Sequence, residues 1–483
     1  MAAPPAVMAE VKSVPERLDN GVQAPPLHPL PHNDLFKGNK VQPEVLRLHL
    51  LKEGKITEDD VCRLCKDAMA AFRAEPNIIK LEGNVNIVGD IHGQYYDLMK
   101  VFEIGGKVEE VPYLFLGDYV DRGTFSCEVV LYLMALKSTH PKKVFCIRGN
   151  HECRALTRTF NFKNECLHKY SMRVYDAFMD VFDTLPLCAL LDAKFLCCHG
   201  GIGPSFHTLE DINRIDRFSE PPEAGPMCDL LWADPTPDED DEVQAKPFTP
   251  NTTRGCSYLF NSKAALRFLK DNQLLSIVRA HEAQKEGFKM HKKDPENDFP
   301  AVITLFSAPN YCDVYKNKAA ILKYQNTLIN IRQFKQTQHP YCLPNFMNVF
   351  TWSLPFVGEK MSQFLSDALL MADLDAEFED DGSAATSKAF SASEKDERRR
   401  QIKAKVKAMA KFVKTYEASR LNNEELIHLG GLADRGITQH NMSAEARAKL
   451  MSLVQNDEET EEAFLAARSL DSLNEKRPMM KKQ

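Results

Sequence analysis

Three stretches decide the fold. Val85 to Val88 runs into Gly89-Asp90-Ile91-His92-Gly93, Tyr113 to Leu116 runs into Gly117-Asp118-Tyr119-Val120-Asp121-Arg122-Gly123, and Val144 to Ile147 runs into Arg148-Gly149-Asn150-His151-Glu152. Each is a short, mostly apolar run ending in glycine and a polar cluster, the pattern of a buried strand that stops at a functional loop. Phe195 to Cys198, Leu275 to Val278 and Val302 to Phe306 repeat it further along, and helical segments around Glu128 to Leu136 and Ala264 to Leu269 lie between. Alternating elements of this kind predict one large α/β domain.

In such a sheet the crevice beyond the carboxyl ends of the strands is where ligands bind, so the loops would bring their polar side chains together. Two further histidines share the context: His199 in Cys198-His199-Gly200-Gly201 and His281 in Arg279-Ala280-His281-Glu282. Mixed carboxylate, amide and imidazole donors suit iron, zinc or manganese. A carboxylate shared by two ions would hold them about 3.5–4 Å apart, the two-metal arrangement used for displacement at phosphorus. Taken singly, His199 or His281 reads equally well as a satisfied core histidine; the joint pattern of five polar clusters at strand ends is what is specific. The glycines let the chain turn sharply and let a bulky anion approach.

The run from Asp90 to Tyr311 resembles the metallophosphoesterase core of the phosphoprotein phosphatase family, which carries GDxHG, GDxVDRG, GNHE, a HGG loop and a SAPNY loop, here Ser307-Ala308-Pro309-Asn310-Tyr311. The resemblance implies a β-sandwich core flanked by helices, with C-terminal regulatory helices and linkers. It also implies that Asp90, His92 and Asp118 hold one metal, and Asp118, Asn150, His199 and His281 the other, with a bridging water or hydroxide as nucleophile. The pair is expected to be Fe3+ and Zn2+, with Mn2+ as the alternative. His151 is placed to protonate the departing serine or threonine oxygen, with Asp121 to orient it. Arg122 and Arg254 offer planar forks to phosphate oxygens; either alone would read as a surface ion pair.

The C-terminal third narrows the resemblance to the calcineurin catalytic-subunit family. Asn345 to Lys360 (NFMNVFTWSLPFVGEK) opens an apolar segment, residues 345–371, that resembles the helix binding the Ca2+-sensing calcineurin B subunit, with Val349, Phe350, Trp352, Phe356, Val357 and Met361 as contact residues. Pro355 sits inside it, and Ser353 is expected to cap a helix with proline in its first turn. Residues 372–397 read as a flexible acidic linker. Arg398 to Tyr416 carries eight basic residues and no acidic one, with Ile402, Val406, Met409, Phe412, Val413 and Tyr416 at helical spacing. Such a basic amphipathic helix suits calmodulin or an anionic membrane equally; the resemblance favours calmodulin. Residues 460–480 resemble the family's autoinhibitory segment, with Asp471, Asn474 and Glu475 facing the active site and Glu475 as a phosphate mimic.

Asn330-Ile331-Arg332-Gln333-Phe334 resembles the edge strand that pairs with extended docking motifs of phosphoprotein substrates, and Tyr311 is expected at the substrate. A second, apolar groove would use Leu343, Met347, Trp352 and Phe356. Cys312 and Cys342 stand where leucine and tryptophan are expected, which bears on affinity for groove ligands and immunophilin-drug complexes.

The whole reads as a Ca2+/calmodulin-regulated protein serine/threonine phosphatase. The alternatives are a metallophosphoesterase of small phosphate esters and a non-catalytic calmodulin-binding scaffold. No EF-hand loop pattern is present, so Ca2+ would act through partner proteins. Composition agrees: over 483 residues the net charge is −7, the hydrophobic share 43% and the charged share 27%, which excludes a strongly basic nucleic-acid binder. No run of about 18 apolar residues offers a membrane span, and Pro4, Pro5, Glu10 and Lys12 stand where a signal peptide would be apolar, so a cytoplasmic protein is expected. The 13 cysteines are odd in number and scattered, as reduced thiols are. Cys62 and Cys65 form a CxxC on the apolar face of a helix expected to start at Thr57, a core pattern rather than a zinc site. Residues 1–40 read as a mobile proline-rich arm or a segment that docks in extended form, 41–344 as the catalytic domain, and the acidic loop 238–242 has no counterpart in the family.

Overall fold

Two β-sheets face each other and enclose a layer of apolar side chains. The computed structural model describes residues 24–237, 246–294, 298–378, 392–433, 452 and 460–478. One sheet has five strands in the order Leu328–Phe334, Ala319–Gln325, Val85–Val88, Tyr113–Phe115 and Val144–Cys146. The other has six, in the order Phe288–Lys293, Pro300–Leu305, Ser276–Arg279, Phe195–Cys198, Cys188–Leu191 and Ile78–Leu81. Period-two alternation sorts the side chains: Ile87, Leu114 and Leu322 point between the sheets against Val278, Ile303 and Cys197. Their neighbours Val88, Tyr113, Phe115 and Ile321 point outward into the core formed with the helices.

Direction matters more than order for function. Val85–Val88, Tyr113–Phe115 and Val144–Cys146 run parallel, as do Phe195–Cys198, Ser276–Arg279 and Pro300–Leu305. Their carboxyl ends therefore open on one edge of the sandwich. A parallel bridge between Asp90 and Phe306 ties the two sheets together there.

The helices follow their sequence signals. Thr57 caps the helix Glu58–Arg73 by accepting the Asp60 amide at 3.2 Å, and Val61, Leu64, Cys65, Ala68 and Phe72 form its buried stripe. The helix Ser126–Thr139 is buried almost all round, as a helix wedged between a sheet and other helices must be. All 13 cysteines are free thiols.

Four local expectations are corrected. Residues 30–40 are not a free arm but dock on the domain: Leu30, Leu35 and Phe36 are buried in its core, and Phe36–Lys37 pairs with Lys40–Val41 in a hairpin. These apolar side chains gain more from burial than a solvated arm could offer. Ser353 does not cap. The helix runs Val349–Phe378 with Pro355 inside it, because Asn348 already accepts the Thr351 amide at 2.7 Å and starts the helix earlier. Residues 372–378 continue this helix, and 392–397 begin the next, Ala392–Leu429, which carries the basic segment well past Tyr416. Ala372, Leu374, Ala376 and Glu377 at one end, and Ala392, Glu394, Lys395 and Glu397 at the other, are residues of high helix propensity where a linker was expected. The first 23 residues, the loop 238–242 and linker residues 379–391 lie outside the described residues.

These two long helices pack on each other, with Arg420 Nε donating to Glu359 Oε2 at 2.8 Å and Asn423 Nδ2 to the Trp352 carbonyl at 3.4 Å. Val349, Phe350, Phe356, Val357, Met361 and Phe364 stay exposed on the first. Among the described residues no helix is long and apolar enough to cross a membrane.

Candidate active site

At the common edge, each loop delivers its polar side chain to one small cavity lined by Asp90, His92, Asp118, Arg122, Asn150, His151, Trp232, Arg254, His281, Tyr311 and Glu475. His92, Asp118, Asp121, Arg122 and His281 all have left-handed backbone conformations, with φ from 46° to 72°. Such conformations cost on the order of 1–3 kcal/mol each and persist where surrounding contacts hold them, which is common at active sites.

The contacts are visible. Glu152 accepts three backbone amides, from Asp118, Tyr119 and Gly149, at 2.8–2.9 Å, and so welds the second and third motif loops together. Asn161 accepts the Arg122 amide at 2.8 Å and donates to the Gly123 carbonyl at 2.8 Å, fixing the turn on which Arg122 sits. Gly149 lies so close to Asp118 that a Cβ there would overlap both the Asp118 amide and its carboxylate. Gly149→Ala should therefore push these loops apart, costing about 1–3 kcal/mol of stability and bound metal with it. Thermal melting combined with metal analysis of the purified protein checks both, and an unchanged metal content would show that the loops tolerate the separation.

The donor atoms converge in two groups that share Asp118. His199 Nε2 lies 2.8 Å from Asn150 Oδ1, 3.2 Å from His281 Nδ1 and 3.3 Å from Asp118 Oδ2. On the other side His92 Nε2 lies 3.5 Å from Asp118 Oδ2. Asp90 Oδ1 accepts the His281 amide at 3.2 Å, while its Oδ2 is buried with no hydrogen-bond partner. Backbone carbonyls set the imidazoles: His92 Nδ1 donates to Val120 O and His199 Nδ1 to Leu116 O, each at 2.9 Å, leaving both Nε2 atoms turned toward Asp118. Geometry alone groups His92, Asp118 and His151 as one candidate cluster and Asp118, His199 and His281 as another.

Electrostatics point the same way. Burial pushes the carboxyls of Asp90 and Asp118 up to about 8 and holds the imidazoles of His92, His199 and His281 below their usual range. Buried carboxylates beside neutral imidazoles form a site that cations would stabilise, and an orphaned carboxylate oxygen aimed into it fits the same requirement. The six residues Asp90, His92, Asp118, Asn150, His199 and His281 fit a pair of hard or borderline metal ions.

Around this cluster stand the other expected residues. His151 Nδ1 lies 2.7 Å from Asp121 Oδ2, and Asp121 is fixed in turn by the Phe162 amide at 2.9 Å. Arg254 donates to Asp234 at 2.9 Å and to the His281 carbonyl at 3.1 Å, and pairs with Glu475. Arg122 grips Asp471 with its two terminal guanidinium nitrogens, at 2.8 and 3.0 Å. Asn474 Nδ2 donates to the Leu432 carbonyl at 3.0 Å. Tyr311 packs beside His92 with ring centroids 5.0 Å apart. Asn330 to Phe334 lie outside the cavity, on the free edge of the five-stranded sheet.

Sequence reasoning gave Glu152 and Asn161 no role, and missed Asp234, which holds both Arg254 and Arg279. Glu152 sat within a motif that already marked the loop; nothing in the sequence around Asn161 or Asp234 signalled theirs.

Comparison with known proteins follows the same lines. Residues 83–285 match the family model described as calcineurin-like phosphoesterase. The serine/threonine-protein phosphatase 2B catalytic subunit A1 of Saccharomyces cerevisiae is 45% identical over 460 residues, spanning 90% of this chain and 82% of that protein. Catalytic subunit A2 of the same organism is 42% identical over 519 residues, spanning 97% and 84%. Among solved structures, a protein serine/threonine phosphatase from Saccharomyces cerevisiae with similarity to human phosphatase PP5 superimposes with a TM-score of 0.56 at 34% identity, covering 62% of this chain and 96% of its own.

Proposed function

The chain belongs to the calcineurin family of serine/threonine-protein phosphatase 2B catalytic subunits, and on that premise we propose how its own residues carry out and restrain the reaction. It is a protein serine/threonine phosphatase with a dinuclear metal centre. The observation that carries the assignment is the convergence of Asn150, His199, His281 and Asp118 on one point, with Arg122 and Arg254 beside it.

Asp90, His92 and Asp118 would hold one ion, and Asp118, Asn150, His199 and His281 the other; Fe3+ and Zn2+ would suit this donor set, as would Mn2+. When bound, the ions polarise the phosphoryl group and lower the pKa of a water molecule, which makes it a nucleophile at neutral pH. Arg122 and Arg254 grip the phosphate oxygens with their planar forks. His151 gives its Nε2 proton to the departing serine or threonine oxygen, while Asp121 at 2.7 Å holds the Nδ1 proton and keeps the ring turned toward the leaving group. No covalent enzyme intermediate is required.

Regulation uses the C-terminal third. The exposed apolar face of Val349, Phe350, Phe356, Val357 and Met361, with Trp352, is the seat of a Ca2+-sensing B subunit. The basic helix surface with Ile402, Val406, Met409, Phe412, Val413 and Tyr416 is the calmodulin target. Phosphoprotein docking motifs add a strand to the free edge Asn330–Phe334, and immunophilin-drug complexes approach the groove by Trp352 and Phe356. Residues 460–478 are the inhibitory element, with 41–344 as the catalytic unit and Ca2+ acting through the partners. The free thiols favour a reducing, cytoplasmic setting.

The test is phosphate release from a phosphoserine peptide by the full chain with its B subunit, with and without Ca2+/calmodulin. Strong stimulation is expected. Activity indifferent to calmodulin would overturn the regulatory reading, and no release in either state would overturn the assigned residue roles.

A further inference from the structure

The segment that fills the active site also runs past it. Glu475 lies in the cavity against Arg254, and Asn474 and Glu475 are wound in a turn, their amides bonded to the Asp471 carbonyl at 2.7 and 3.3 Å. After Glu475 the chain leaves the turn. The Arg477 amide donates to the Arg254 carbonyl at 2.8 Å, and the Arg477 side chain enters a small notch. There Nη1 donates to the Pro222 carbonyl at 2.6 Å and Nη2 to the Pro221 carbonyl at 2.7 Å. Nη1 also reaches Cys228 Sγ at 3.6 Å, and the guanidinium carbon lies 5.8 Å from the Trp232 ring centre.

We propose that the carbonyls of Pro221 and Pro222, with the face of Trp232, form a subsite for an arginine two residues C-terminal to the phosphorylated residue of a substrate. The inference rests on the phosphatase reading above and on Glu475 standing where a substrate phosphate would sit. A phosphoserine placed there, continuing along the path of Lys476 and Arg477, delivers its second following side chain to the same two carbonyls. The subsite suits arginine over lysine, because two acceptors set side by side match a planar fork and not a point charge. Residues before Glu475 carry no such information, since a helical turn fixes them and a substrate would lie extended.

The experiment compares three phosphoserine peptides that differ only at the second position after the phosphoserine, bearing Arg, Ala or Glu. The enzyme is the full chain with Arg477→Ala, which empties the notch, assayed with its B subunit and Ca2+/calmodulin so that the inhibitory segment is lifted, and para-nitrophenyl phosphate, which cannot reach the notch, serves as reference. The Arg peptide is expected to show a KM about tenfold below the Ala peptide, with kcat little changed and the Glu peptide weakest, the effect of one charge-assisted fork. Equal KM for Arg and Ala, with the reference substrate turned over normally, overturns the subsite and leaves the phosphatase reading intact. Failure to hydrolyse the reference as well overturns the reading on which the subsite rests.

Discussion

His151→Gln lowers kcat by roughly 10²–10⁴-fold, the usual contribution of a positioned general acid, and leaves metal content unchanged. The reasoning is local. His151 Nδ1 is engaged by Asp121, and that carboxylate is itself fixed by the Phe162 amide, so the ring presents Nε2 to the cavity in one orientation. Glutamine fills a similar volume and can hydrogen-bond, yet it cannot surrender a proton to an alkoxide. The His151 amide, which donates to Asp118 at 3.0 Å, survives the substitution, so the Asp118 carboxylate keeps its support. Substrates with good leaving groups need little protonation; para-nitrophenyl phosphate should lose far less activity than a phosphoserine peptide. An equal loss on both substrates would instead place His151 among the metal ligands, where its distance to His92 and Asp118 also allows it to stand.

Much of this site was legible in the sequence because its chemistry sits in short, contiguous runs. Asp90 and His92, Asp118 to Arg122, and Asn150 to Glu152 each follow a strand that the apolar pattern marks, so placing the strands side by side places the ligands. His199 and His281 needed the parallel sheet as well, and Asp234 was invisible: its value lies in holding Arg254 and Arg279, 20 and 45 residues away. The strand Phe288–Lys293 was missed for a related reason. It is a lysine-rich edge strand, and half-exposed edges lack the apolar run that betrays a central strand. The helix ends near Phe378 and Ala392 were misjudged because a charge run there reads as a linker, while the backbone stays helical.

Asp471→Ala raises basal activity about tenfold or more in the absence of calmodulin. Asp471 is wholly buried, Arg122 is 2% exposed, and the two share a bidentate bridge. Burial pushes the Asp471 carboxyl up, but Arg122, with hydrogen bonds from Asn474 and from Tyr315 at 2.9 Å, more than offsets this and holds it below the usual range. Removing one partner of such a pair costs about 3–5 kcal/mol, because the remaining charge stays buried and unpaired. Arg122 regains water only when the segment lifts away, so the substitution drives opening. Phe464 and Leu470, which pack with Tyr315 and Val314, then lack the polar anchor that seats them. Since a shift of 1.4 kcal/mol is already tenfold in an equilibrium, the open form gains at least that much until it dominates. The mirror substitution separates latch from catalysis: Arg122→Ala breaks the same bridge yet removes a phosphate grip, so it should open the segment to limited proteolysis without raising turnover. If Asp471→Ala left the basal rate unchanged while proteolysis showed the segment released, the restraint on activity would lie with Glu475 at Arg254 and not with the Arg122 clamp.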